Sequence, residues 1–431
     1  MSIRRSSALV ILACSLAIPS FADSQARIVR LSQVDGNVQI DRNLGQGYEK
    51  AFINLPVTQG AKLRTGQDAR AEIEFEDGSS LRLAPDSVVE FPELSRRDSG
   101  ARASNVELQQ GTAYLNFRGN KGEEFVLAFG SESLRLKKPS HLRVELKDAS
   151  ATVAVFNGMV EVNGASGTVA VEKKHTATFD LAGSDPYTLT NNLEPDPYDE
   201  WDKQQDRYHQ QYSSNGFSPY GYGASDLNYY GSFYNMPGYG MMWQPYLVGA
   251  GWDPFMNGAW AWYPGAGYAW ISSYPWGWTP YRYGSWTFVN SYGWFWQPGS
   301  SWTGWNTVPR VVNPPQHFNA PRIPTTPGQT LVVNRGAPVG AGAVIQGGSQ
   351  IRVNSAGLGI ARGSVRNLGR ISQQVERPAF GSSMRGPAVN STVRSPAGGT
   401  RVYAPEPSSA APRASGGSAG SAPASHGPSH R

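Results

Sequence analysis

The frame Gly-Trp-x-Pro-aromatic-x-x-Gly-small-Trp occurs twice, in GWDPFMNGAW from Gly251 and in GWTPYRYGSW from Gly277. The shift between them aligns Trp252 with Trp278, Pro254 with Pro280, Gly258 with Gly284, Trp260 with Trp286, Gly267 with Gly293 and Trp270 with Trp296. A degenerate upstream copy sets Gly231, Phe233, Pro237, Gly238, Gly240 and Trp243 against Gly258, Trp260, Pro264, Gly265, Gly267 and Trp270. Self-similarity at a fixed spacing marks a structural repeat. Each copy reads as aromatic-rich strand, glycine-containing turn, aromatic-rich strand. Trp260 and Trp262 share a face opposite Tyr268 and Trp270, and Trp286 and Phe288 face Trp294 and Trp296. An isolated hairpin is marginal in water, so the three are expected to stack or to extend into a common sheet.

Twelve of the thirteen Trp lie between Trp243 and Trp305. Large rings, each burying about 150–250 Å², are what so short a unit needs for a core. The other reading is a face of flat rings offered to a sugar polymer, with Trp262, Tyr268, Trp294 and Trp296 as ligand-binding residues. Exposure separates the two, because a glycan site requires a row of solvent-facing rings and burial of the repeat Trp removes its basis.

Residues 27–182 read as continuous β-structure. AEIEFEDGSSLRLA alternates Ala71, Ile73 and Phe75 with Glu72, Glu74 and Glu76, the period of a half-buried strand. A three-residue loop, Asp77-Gly78-Ser79, pairs Phe75 with Leu81 and Ile73 with Leu83 and sets Glu74 opposite Arg82 on a wet face. In TVAVFNGMVEVNG, Asn157-Gly158 suits a type I′ turn pairing Val155 with Val160 and Val153 with Val162. Further strands are expected around 29–40, 105–117, 124–129, 134–137, 142–146 and 168–179. Short strands at this spacing, without a long helical period, predict an all-β chain whose first domain is an antiparallel sandwich or roll.

The flanking segments differ in composition. Residues 185–228 form a polar linker in which Pro195 and Pro197 precede a short helix at about Asp199–Gln211, with Trp201 and Tyr208 free to dock on a neighbour. The hairpin module occupies 229–305. From 306 to 431 the chain carries thirteen Arg, no Lys and two acidic residues, a charge of +11, whereas the remainder carries −6. This Pro-, Gly-, Ser- and Arg-rich tail is expected to be largely disordered, with scraps such as TLVVN and AVIQGGSQIRVN able to pair locally. At the other end, Arg4 and Arg5, the apolar run 8–17 and Ser20-Phe21-Ala22 read as a signal peptide over 1–22. Cys14, the one cysteine, falls within that leader, so the mature chain has no disulfide; acylation of Cys14 as a lipoprotein is the less favoured alternative. No later run is long enough for a membrane span.

Catalytic patterns are missing. The six His make no ligand spacing with Cys, Asp or Glu and read as solvated, so no metal site is expected. GNKGEE at 119–124 lacks the phosphate-loop frame, and there is no Gly-x-Ser-x-Gly elbow. The carboxylates Glu123-Glu124 and Asp199-Glu200-Asp202 read as solvated too. No enzyme activity and no cofactor are expected. The dispersed Arg of the tail, without interleaved aromatics, do not favour nucleic acid.

The stretches VDGNVQI, LPVTQGAKLRTGQDARAEIEFEDGSSLRLAPDSVVEF, LQQGTAYLNF and VAVFNGMVEV resemble the FecR domain, above all in the core pattern at Gly60–Leu83. The aromatic repeats that follow are similar to those of bacterial extracytoplasmic proteins in which such repeats have no known function. FecR-type proteins relay a signal from an outer-membrane transporter to a cytoplasmic sigma factor. With a cleaved leader and no spanning helix, the resemblance here implies an all-β extracytoplasmic interaction domain, in periplasm or at the cell surface, with no catalytic residues to transfer. Two functions are therefore expected: binding, sensing or scaffolding through an envelope protein partner, or binding of a cell-wall glycan through the repeats.

Overall fold

The computed structural model describes residues 27–164, 167–182, 187–213, 222–249, 251–328, 330–334, 344–346, 349–352 and 354–380. The expected leader, with Cys14, and the end of the basic tail lie outside them. Alternating apolar residues build the first domain as a run of short strands: β1 (Val29–Asp35), β2 (Val38–Asp41), β3 (Glu49–Lys50), β4 (Pro56–Val57), β5 (Lys62–Thr65) and β6 (Arg70–Glu74). There follow β7 (Ser80–Leu83), β8 (Val88–Arg96), β9 (Arg102–Phe117), β10 (Glu123–Phe129), β11 (Glu132–Leu136) and β12 (Ser140–Lys147). The last are β13 (Ser150–Asn157), β14 (Met159–Gly164), β15 (Gly167–Glu172), β16 (Thr176–Asp180) and β17 (Tyr187–Thr190).

These strands form two sheets that share β9. One runs β3-β2-β5-β8-β9-β10-β11-β14-β15, the other β4-β1-β6-β7-β9-β12-β13-β16-β17. Gly111 is where β9 passes between them. Its φ is +84°, and a Cβ there would lie 2.5 Å from the Ser87 hydroxyl, so only glycine fits the corner. Val, Leu, Ile and Phe from both sheets share one core. The sandwich is antiparallel except for β9–β10, which is parallel.

Two expected pairings differ. Ile73 pairs with Leu81 and Glu72 with Arg82, two residues from the register expected for the β6–β7 hairpin, because the chain turns one residue earlier on Glu76-Asp77-Gly78, with Phe75 N–H donating to the Ser79 carbonyl. The sidedness survives a two-residue slip. The face carrying Glu72, Glu74 and Arg82 is not wet, however: all three are buried. At Asn157-Gly158 there is no hairpin. β13 already has β12 and β16 on its two sides, so the chain crosses to the other sheet, where β14 pairs with β11 and β15. Only Gly158 has positive φ there, whereas a type I′ turn needs it at both central residues.

The buried polar face is covered by α1 (Asp199–Tyr212), the linker helix, with Trp201 and Tyr208 both buried. A second short helix, α2 (Ala224–Tyr230), leads into the repeats. Their strands are β18 (Gly231–Met236), β19 (Gly240–Pro245), β20 (Asn257–Tyr263) and β21 (Gly267–Ser272), then α3 (Thr279–Arg282), β22 (Tyr283–Val289) and β23 (Gly293–Trp302). The facing sets match the sequence reading, with Trp260 opposite Trp270, Trp262 opposite Tyr268, Trp286 opposite Trp296 and Phe288 opposite Trp294, and the degenerate copy pairs Phe233 with Trp243 in the same way. The outer hairpins join into one sheet through Trp243 and Trp296, and the middle hairpin stands apart.

That middle hairpin fastens the two halves. Ala261, Tyr263, Ala269 and Ile271 enter the core of the first domain, while Trp260, Tyr268 and Trp270 enter the aromatic core. The segment after 306 is also partly ordered. β24 (Arg310–Val312) pairs with β22, β25 (Leu331–Asn334) with β20, and β26 (Val344–Gln346) with β27 (Ser349–Ile351). α4 (Leu368–Phe380) follows. Ile351, Ile360, Val365, Leu368 and Ile371 are buried against the aromatic core. Sparse apolar residues suffice for order here because the surface they cover is already built. Among the described residues no helix is long and apolar enough to cross a membrane.

Candidate functional site

The densest group of ionisable side chains lies where the first domain, α1, α2 and the C-terminal segment meet. Arg362 donates from Nη1 to Glu72 of β6 (2.7 Å) and from Nε and Nη2 to the two Asp226 oxygens of α2 (2.9 and 2.8 Å). Arg30 of β1 bridges Glu74 (3.1 Å) and Asp226 (2.6 Å). Arg82 holds Glu72 (2.9 Å) together with Asp202 and Asp206 of α1. His209 Nε2 lies 3.1 Å from both Glu72 oxygens, its Nδ1 is 3.1 Å from the Ser225 hydroxyl, and the Tyr208 hydroxyl donates to Asp226.

Burial alone would raise the Glu72 carboxyl, but His209, Arg362 and Arg82 outweigh it and hold the group well below the usual carboxylate range. Asp226 is lowered in the same way, burial being outweighed by Arg362 and Arg30. Glu74 is raised, because Arg30 does not cancel its burial. Every carboxylate in the group has a cationic partner, so the arrangement clasps elements together and offers no free base. Asp202 and His209, read as solvated in the sequence, are buried members of it. A run of acids on a helix does not reveal that a buried Arg awaits it from a strand 120 residues earlier.

His141, Asp202 and Asp206 bring ligand atoms within 4.8 Å of one another. The Arg82 guanidinium already bonds both carboxylates. A metal ion there would sit against a fixed cation, so the donor set does not fit one.

The proposed glycan-binding rings lie elsewhere. Tyr268 (2% exposed), Trp294 (3%) and Trp296 (0%) are core residues, and Trp262 is half-buried against Tyr268. Trp302, at 40%, is the one Trp among the described residues that is largely exposed, so no row of solvent-facing rings exists. The repeat frame has a packing cause instead. Gly231, Gly258 and Gly284 each stand twelve residues before Trp243, Trp270 and Trp296. A Cβ on these glycines would lie 2.3, 2.5 and 2.9 Å from the respective indole. Each glycine is the floor on which its tryptophan lies across the hairpin.

Two exposed apolar side chains stand side by side at the last strand of the first domain. β17 pairs only with β16 among the described residues, leaving one edge open. Tyr187 and Leu189, opposite Phe179 and Ala177, lie on the core side of the sheet yet are 44% and 45% exposed. Spacing places these two on one face, but no sequence signal shows that the opposing sheet stops short of them.

Residues 61–161 match the FecR protein family, and residues 224–314 match a family of unknown function, DUF6600. The chain therefore contains a FecR domain followed by a DUF6600 region. No curated protein matches it. Two crystal structures, at 2.50 and 1.65 Å, of a protein titled as an anti-sigma factor from Parabacteroides distasonis ATCC 8503 are similar to it at 16% identity and a TM-score of 0.27. The overlap covers 31% of this chain and 60% of that one, too slight to define the fold.

Proposed function

We propose that this FecR-domain chain is an exported, non-enzymatic envelope protein that binds, senses or scaffolds through protein contacts, and that β17 is the contact strand. The observation that carries this reading is the open β17 edge. It offers backbone groups that no other described strand pairs, beside Tyr187 and Leu189, the pattern with which a sheet accepts an added strand. The repeat rings, by contrast, are already used within the fold. Affinity capture from envelope extract with the full chain tests it. A discrete partner should be retained by the wild type and by Lys147→Glu, and lost with the Tyr187→Lys, Leu189→Lys pair. A partner held equally by all three, or no partner at all, would overturn the assignment.

A further inference from the structure

Arg282, the last residue of α3, is a buried cation without a counter-ion among the described residues. The other buried arginines all have one: Arg27 pairs with Glu76, Arg30 with Glu74, Arg42 with Glu49, Arg82 with Glu72, Arg143 with Asp199, and the buried head of Arg362 with Asp226. Arg282 is only 5% exposed, has no salt bridge among the described residues, and its Nε has no hydrogen-bond partner. Its surroundings are aromatic. The guanidinium carbon lies 5.1 Å from the Trp278 ring and 6.0 Å from the Trp302 ring, and the ionisable groups around it are Tyr263, Tyr222 and Tyr283. Burial, only partly offset by these tyrosines, pushes the guanidinium down to about 10.

An isolated charge removed from water is costly, and contact with ring faces compensates only part of that cost. The guanidinium fork matches carboxylate and phosphate geometry. Trp302, 40% exposed beside the fork, marks the solvent side. Gly304, two residues on, has open space where a Cβ would stand.

We infer that Arg282 and Trp302 form an oxyanion-binding site, in which the guanidinium takes a carboxylate or phosphate group and the Trp302 ring flanks the body that carries it. The site lies on the aromatic module and does not depend on the β17 reading.

The test uses the full chain, titrated with sodium acetate and with inorganic phosphate at constant ionic strength set by chloride. Tryptophan fluorescence and the thermal midpoint are followed. The wild type should show a saturable midpoint rise of a few degrees with at least one oxyanion and none with chloride. The stronger of the two identifies a carboxylate or a phosphate as the natural group. Arg282→Gln should abolish the rise, and it should be no less stable than wild type without oxyanion, since an unpaired buried charge is gone. Exposed Arg64→Gln should keep the rise. Trp302→Ala, at an exposed position that should tolerate truncation, should weaken binding at least fivefold, which keeps the test decisive should Arg282→Gln fail to fold. No oxyanion-dependent rise in the wild type, or the same rise in Arg282→Gln or Trp302→Ala, would overturn the assignment.

Discussion

Replacing Arg362 with Ala should loosen the clasp between the C-terminal segment and the FecR domain. The side chain makes three charge-assisted bonds to Glu72 and Asp226 and lies 5.5 Å over the Tyr208 ring. Removing one member of a buried ion pair costs about 3–5 kcal/mol, because the partner stays charged and desolvated. Glu72 keeps Arg82 and His209, and Asp226 keeps Arg30 and Tyr208, so the loss belongs near the lower end, about 3 kcal/mol. Urea unfolding of the full chain at pH 7 measures it. The pH dependence distinguishes lost charge from lost packing. Glu72 and Asp226 titrate below their unfolded counterparts, so the stability they contribute is complete above an unfolded pKa of about 4 and drains as pH falls through the folded values. The deficit of Arg362→Ala should therefore narrow on acidification, as the abandoned carboxyls protonate. A deficit below about 1 kcal/mol, or one of unchanged size in acid, would refute the reasoning.

Three further perturbations follow from the packing. Gly258→Ala should lower the thermal midpoint sharply, because its Cβ would meet both the Trp270 ring and the Ile271 carbonyl at 2.5 Å, whereas Gly265→Ala, with open space around it, should cost less, mainly through its positive φ. Trp270→Ala should destabilise by about 3–5 kcal/mol in chemical denaturation, as expected for a fully buried ring removed from a core. Asn54→Ala should cost about 2–3 kcal/mol in the same assay, since Asn54 donates to the Ser272 and Tyr274 carbonyls and accepts from Arg30 Nε, all buried at the junction of the two modules.

Local patterns in the sequence carry their structure faithfully where each residue answers to neighbours a few positions away. The three hairpins keep the pairings that alternation dictates, and the linker helix begins at Asp199, two residues beyond Pro197. The readings that fail concern what covers a face. Alternation put Glu72 and Arg82 on the side away from the apolar core, and it says nothing of α1, whose Asp202 and Asp206 arrive to enclose Arg82. Asn157-Gly158 has strong turn chemistry, yet β12 and β16 compete successfully for β13. The sparse apolar residues after 306 look too few to order that segment, and they are, without the aromatic surface that Ile360, Val365 and Leu368 cover. The same blindness affected the site. Ring spacing made Tyr268, Trp294 and Trp296 look available, but which face of a hairpin meets solvent is a tertiary fact. Arg282 gave no signal, because an unpaired charge shows only once its surroundings are known.

The repeat tryptophans are the core of a module built into the FecR domain, which leaves contact with partners to surfaces outside that core. Twelve of the thirteen Trp lie in that module, so their fluorescence reports it, while far-ultraviolet circular dichroism is dominated by the larger β-domain. Urea unfolding of the full chain followed by both signals is the most direct measurement. The shared residues Ala261, Tyr263, Ala269 and Ile271 require the two transitions to coincide in midpoint and slope. A fluorescence transition complete while the circular dichroism remains native, or the reverse, would contradict the account.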